Sequence, residues 1–236
     1  MAYRARDSKN SDRPVNPASW ITPDGLKEQS EAVPELAYRR LHCGQWTERE
    51  GHWLPAGAWQ ASVGKPELAL GEDVWIGVDI GGERSASAVV RLNERLQVGC
   101  AIYHGDEGVL DCVDKVRELA GEFNVREFVF DPWRFGQAAQ ELEREGIAVT
   151  QFPQTDARMV PASDRLYRAI VEKRIVLPDN EELRQHAAAA IAKHSRRGWR
   201  IDKANRVDNI DGIISLCMAL EAAEAKPEPV ELLGWL

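Results

Sequence analysis

The pattern of apolar and polar positions changes character near residue 74. Residues 1 to about 70 carry Pro, Gly and Trp with no sustained apolar repeat, and short helices are expected at 26–29 and 34–41. Trp46, Trp53 and Trp59 recur in QWTEREGHWLPAGAW, as in an arm fastened to another surface by buried indoles. GKPELALGED, 64–73, reads as a linker. Then VWIGVDI is a continuous β-branched run closed by Gly81 and Gly82, a strand and its turn. SASAVVRL and LQVGCAIY form two further strands joined by a turn at 93–95. VLDCVDKVRELAGEFN spaces Val109, Leu110, Val113, Val116 and Leu119 as a helix does. REFVFDP is a fourth strand, stopped by Pro132. FGQAAQELEREG is a helix ended by Gly146, and IAVTQF a fifth strand.

The order β-β-β-α-β-α-β predicts a mixed α/β sheet, three antiparallel strands and then parallel ones, with helices on both faces. Further helices are expected at about 157–172, 181–194 and 207–225, with RRGWRID a short strand or hairpin between the last two. The expected division is an arm and linker over 1–70, a catalytic domain over 71–226 and a flexible tail over 227–236.

Composition narrows the class. Hydrophobic residues make up 44% of the 236 and charged residues 29%, enough for a soluble domain with its own core. No apolar run reaches the roughly 20 residues of a membrane span. The polar N-terminus lacks a signal peptide's apolar middle, so a cytoplasmic protein without membrane contact is expected. The four cysteines, Cys43, Cys100, Cys112 and Cys217, form no CxxC pair, which disfavours a structural zinc site.

A formal net charge of −8 argues against a general nucleic-acid coat. The stretch 193–206 runs the other way. Lys193, Arg196, Arg197, Arg200, Lys203 and Arg206 face only Asp202 there. It is either a solvated basic face or a phosphate-binding surface.

Three aspartates interrupt apolar sequence. Asp79 lies inside the first strand, Asp131 ends the fourth, and Asp211 opens the last helix. Each has a structural alternative: a turn residue before Gly81, a helix cap, and an acid at a helix N-terminus. Neighbouring first and fourth strands would bring Asp79 and Asp131 to one edge, with the last helix placing Asp211 beside them. Buried carboxylates so gathered repel, and a divalent cation neutralises them. Oxygen-only ligands favour Mg²⁺ or Mn²⁺, and two such ions suit phosphodiester hydrolysis.

The placement of these acids on this strand order resembles the RNase H-like superfamily. Within it, RRLHCGQWT, HWLPAGAW, GVDIGGERSASAVV, FDPWRFGQAAQELEREG and NIDGIISLCMALE resemble phage terminase large subunits, from about Asn16 to Glu224. The resemblance implies an endonuclease that cuts double-stranded concatemeric viral DNA during packaging in the host cytoplasm. Its metal-ligand acids map onto Asp79, Asp131 and Asp211, with Asp208, one helical turn earlier, a possible further ligand. Arg84 and Lys203 become candidate phosphate contacts beside Lys193, Arg196, Arg197 and Arg200. The partners implied are a packaging ATPase domain, a portal and a small terminase subunit. No GxxxxGK[ST] loop is present, so the ATPase is expected outside this chain. Two rival readings stay open. IGVDIGG also resembles the first phosphate loop of actin-like phosphotransferases and ATPases, though no second glycine-rich phosphate loop is visible, and the chain could be a non-catalytic docking module of a packaging motor.

Overall fold

The computed structural model describes residues 22–34, 38, 51–81, 85–105, 107–205 and 207–224. The expected helix at 34–41, Trp46, Arg84, Arg206 and the tail from 225 fall wholly or mostly outside these residues.

Five strands form the central sheet: β2 (Asp73–Ile80), β3 (Ser87–Asn93), β4 (Val98–Tyr103), β5 (Asn124–Phe130) and β6 (Val149–Gln151). Their order is β4-β3-β2-β5-β6. β2, β3 and β4 pair antiparallel, while β5 and β6 continue parallel to β2, so the strand pattern expected from the sequence is the one observed.

Strand alternation sends successive side chains to opposite faces. Val74, Ile76, Val78, Phe128 and Phe130 pack on one side with α3 (Gly108–Glu122) and α4 (Pro132–Arg144). Val129 turns to the other side, beneath α5 (Asp156–Val171) and α7 (Asp211–Glu224). Every residue of α7 from Gly212 to Leu220 is buried, as expected of a helix enclosed all round. It lies against β2, β3 and β5 and is flanked by α5 and α6 (Glu181–Ala189). The helix approaches the sheet closely at Gly77, where a Cβ would stand 2.1 Å from the Ser215 carbonyl oxygen. The Ser215 hydroxyl donates to the Ala88 carbonyl at 3.0 Å, fastening the helix to β3.

The N-terminal segment is part of this packing. After α1 (Pro23–Ala32) the chain reaches α2 (Ala58–Ser62) and β1 (Val63–Gly64), which pairs parallel with β7 (Leu177–Pro178). Trp53 and Trp59 are buried in the same core cluster as α5 and α7, and the Trp53 indole N–H donates to the Ala187 carbonyl of α6 at 3.0 Å.

One helix is shorter than expected. Instead of running to 194, α6 stops at Ala189 and the chain enters the hairpin β8 (Ala190–Ser195) and β9 (Gly198–Lys203). Four consecutive alanines favour a helix locally. Tertiary pairing overrides them: the Ala192 N–H bonds to the Gly51 carbonyl, and Trp199 and Ile201 are buried in the core cluster containing α5. RRGWRID is thus the second half of a hairpin that begins within the expected helix. The last helix likewise starts at Asp211, not 207.

Candidate metal centre

Parallel neighbours leave a sheet at the same edge, and the crevice beyond their carboxyl ends is where such sheets bind ligands. The β2–β5 register pairs Val78 with Phe130, so the next positions outward are Asp79 and Asp131. Asp79 shares the parity of Gly77 and lies on the α7 side, only 9% exposed. Asp131 caps α4, accepting from the Trp133 N–H at 3.1 Å. Capping therefore coexists at this residue with a position at the sheet edge beside Asp79. Asp211 is the first residue of α7.

Asp79 senses the other two carboxylates. Burial holds the Asp79 carboxyl well above the usual range, and the charges of Asp211 and Asp131 add to that. The Gln154 amide donates to Asp79 Oδ1 at 2.8 Å and, with Lys203, opposes the rise. Burial also pushes Asp211 up to about 6, against its own backbone N–H, Lys203, the Ile210 backbone and His104. Lys203, at the end of β9, is thus near enough to both acids to favour their ionised forms.

The N-terminus of α7 has a support that sequence reasoning missed. Buried His186, on α6, accepts the Gly212 N–H at its Nδ1, 3.1 Å away. Burial lowers the pKa of this imidazole, consistent with a neutral ring whose Nδ1 carries a lone pair. His104 meets Glu182 of the same helix. Gln154 was missed as well. Its signal was its position, just after the third parallel strand at the edge that bears the acids.

Asp208 occupies a local role, accepting from the backbone and side-chain N–H groups of Asn205 at 2.8 and 3.0 Å in the turn before α7. The basic stretch divides. Lys193 pairs with Asp202 at 3.0 Å, and Arg200 donates to the Gln154 carbonyl at 3.0 Å and to Asp156 at 3.3 Å. Arg196 and Arg197 stand exposed at the hairpin turn, with no carboxylate partner among the described residues.

Among the described residues no three His, Cys, Asp or Glu side chains stand close enough to enclose an ion without adjustment. The donor set nevertheless fits a hard divalent cation. It is all oxygen, it is shielded from water at Asp79, and burial raises the pKa of both Asp79 and Asp211. Cys100 and Cys112 are free thiols whose burial pushes them up to about 12, which disfavours a thiolate metal site there.

Comparison with known proteins gives this arrangement a family. Residues 102–227 match the model of the terminase large subunit endonuclease domain, and the chain belongs to that family. A curated relative, the large terminase subunit of Enterobacteria phage HK97, is 26% identical over 117 residues. That match covers 48% of this chain and 23% of the HK97 protein, so the chain spans about a quarter of its length there. Among solved structures, the HK97 bacteriophage large terminase superposes with a TM-score of 0.63 at 17% identity, covering 93% of this chain and 56% of that one. The large terminase nuclease of thermophilic phage G20c gives 0.57 at 17% identity, covering 69% and 94%. The same nuclease solved with bound magnesium gives 0.56, also at 17% identity, covering 70% and 94%. The fold is the RNase H-like fold of these nucleases. Among the described residues no helix is long and apolar enough to cross a membrane.

Proposed function

We propose that this chain is a divalent-metal-dependent endodeoxyribonuclease that cuts duplex viral DNA during genome packaging in the host cytoplasm. The observation that carries this reading is the convergence of Asp79, Asp131 and Asp211 at the carboxyl edge of β2 and β5, where burial and then the charges of Asp211 and Asp131 raise the pKa of Asp79. Solved relatives with magnesium, cobalt or zinc bound support a divalent ion as cofactor.

In this reading Asp79, Asp131 and Asp211 hold two ions, Mg²⁺ or Mn²⁺. When bound, these supply the positive charge that lowers the pKa of the attacking water and offsets charge on the leaving oxygen. Asp79 is fixed by its strand and Asp211 by a helix clamped to β3, so their separation is set before substrate arrives. Lys203 stands beside the acids, where it can receive the phosphate being cut. Arg196 and Arg197, at the hairpin turn, hold phosphates further along the duplex, and Arg84 after β2 is assigned the same task. Lys193 and Arg200, already paired with carboxylates, contribute less free charge. Such contacts position DNA without reading its bases, so cleavage should depend little on sequence. The packaging ATPase domain, portal and small terminase subunit are the partners proposed from the family.

Plasmid cleavage tests the reading. Mn²⁺ or Mg²⁺ should support nicking and linearisation, excess chelator should abolish both, and Ca²⁺ should support little. Cutting that persists in chelator would overturn the metal mechanism. If no cation supports cutting although DNA still binds, the chain is a docking module and not a nuclease.

The hairpin has its own test. Replacing Arg196 and Arg197 with Ala should flatten the dependence of log binding constant on log salt, on any duplex sequence. The slope should fall by about 0.9 for each phosphate that the hairpin no longer neutralises. The rise in melting temperature on adding Mn²⁺ should stay unchanged. An unchanged salt slope would move the DNA path off the hairpin.

A further inference from the structure

Gln154 lies in the loop after β6, at the edge where Asp79 and Asp131 leave the sheet. The loop is anchored at both ends. The Phe152 N–H bonds to the Phe130 carbonyl at 2.8 Å, one residue before Asp131, and the Arg158 and Met159 N–H groups turn back onto the Thr155 carbonyl as α5 begins. Between these anchors, Arg200 of β9 donates one N–H-bearing nitrogen, Nη1, to both the Gln154 carbonyl and Asp156. The Arg200 side chain is only 16% exposed. The backbone of Gln154 is thus held from three directions, and its amide reaches Asp79 Oδ1 at 2.8 Å.

An aspartate at a strand end can rotate about its side-chain torsions. Like charges on Asp131 and Asp211 push it away from the orientation in which all three acids share an ion. A donor on one oxygen removes that freedom and leaves the second oxygen for the cation. Outer partners of this kind orient metal ligands and tune their affinity. We propose that Gln154 is the positioning residue of Asp79, and that Arg200 acts through it by fixing the Gln154 main chain. This rests on the metal-centre reading above. It also gives Arg200 a task distinct from a phosphate contact: a largely shielded guanidinium spent on a loop carbonyl locates the amide that locates the acid.

The test is calorimetric titration of Mn²⁺ into the whole chain, with melting temperature in chelator measured alongside. Gln154→Met keeps the length of the side chain but lacks the donor. It should weaken Mn²⁺ binding by about 10–100-fold, with the metal-free melting temperature within a few degrees of native. Raising Mn²⁺ should then restore most of the cleavage rate, which general loosening of the fold would not allow. Arg200→Met should weaken Mn²⁺ in the same direction, and the double variant should fall short of the sum because both act through one hydrogen bond. Should Gln154→Met fail to fold, Gln154→Asn, whose amide stops one methylene short, gives the same comparison. Native Mn²⁺ affinity in a folded Gln154 variant overturns the proposal, as does full additivity with Arg200→Met. A native chain that takes up no Mn²⁺ would strike the metal centre itself, a different failure from one confined to the variants.

Discussion

Asp79→Asn and Asp131→Asn should each reduce metal-supported DNA cleavage by on the order of 10³-fold, about 4 kcal/mol of transition-state stabilisation. Asp211→Asn should do the same. The change keeps side-chain volume and removes an anionic oxygen ligand, so the fold should survive while ion affinity collapses. Stability should move the other way. Asp79 is held well above its ordinary value and Asp211 is pushed up to about 6. In the metal-free protein these groups keep protons that the unfolded chain has released above about pH 4. A raised carboxylate pKa means stability is fullest in acid and is lost as pH climbs through the folded value. Chelated native protein should therefore unfold more readily at pH 7.5 than at pH 5, as far as these two groups govern it. Asp211→Asn should flatten that decline and gain on the order of 2–3 kcal/mol at pH 7.5. Thermal melts across pH, in chelator and in Mn²⁺, check both halves. If metal-free Asp79→Asn and Asp211→Asn lose stability at neutral pH, burying these carboxylates is not costly and the centre is misassigned.

Trp53→Ala, unlike the acid substitutions, should be among the most destabilising single changes. The indole is 1% exposed within the cluster that includes α5, α6 and α7, and its N–H satisfies the Ala187 carbonyl at 3.0 Å. Emptying such a site costs about 3–5 kcal/mol, part of it for the cavity left behind. An orphaned buried carbonyl adds about 1 kcal/mol more. Trp53→Phe refills most of the volume without the donor and should lose about half as much. Urea unfolding should report both as a lower midpoint at unchanged slope. A midpoint for Trp53→Ala within error of native would mean that the arm packs only loosely on the domain. Because Ala187 neighbours His186, which supports the start of α7, Trp53→Ala should also weaken Mn²⁺ binding.

How much of this is legible in the sequence depends on the range over which each feature is determined. β2 and β5 can be read because both are apolar, β-branched or aromatic runs stopped by turn residues, and their acids stand out because charge is costly there. Strand order then brings Asp79 and Asp131 together without any knowledge of side chains. The end of α6 is hidden because AAAA is helical by local propensity, whereas Gly51, from the distant arm, pairs with the strand that replaces it. The basic stretch can be counted but not sorted. Arg200 spends its charge on Gln154 and Asp156, 46 and 44 residues away, and nothing in RRGWRID reveals that. Gln154 itself, 75 residues from Asp79, belongs to no periodic pattern and carries no charge. Its place just after the third parallel strand points to the right edge, but only the folded partner singles out this amide.

Gly77 sits two residues before Asp79 on β2, and Ser215, whose carbonyl a Cβ there would strike, lies one helical turn after Asp211. The missing side chain therefore acts as a spacer of zero thickness between the plank that carries one acid and the rod that carries another. Even a methyl group inserted there would lift α7 off the sheet close to the end that carries Asp211 and widen the gap between the two acids. Mutational drift in this protein should consequently be tolerated along the outer faces of the helices far more readily than at this one buried glycine, where the tolerance of the machine is set by the absence of an atom.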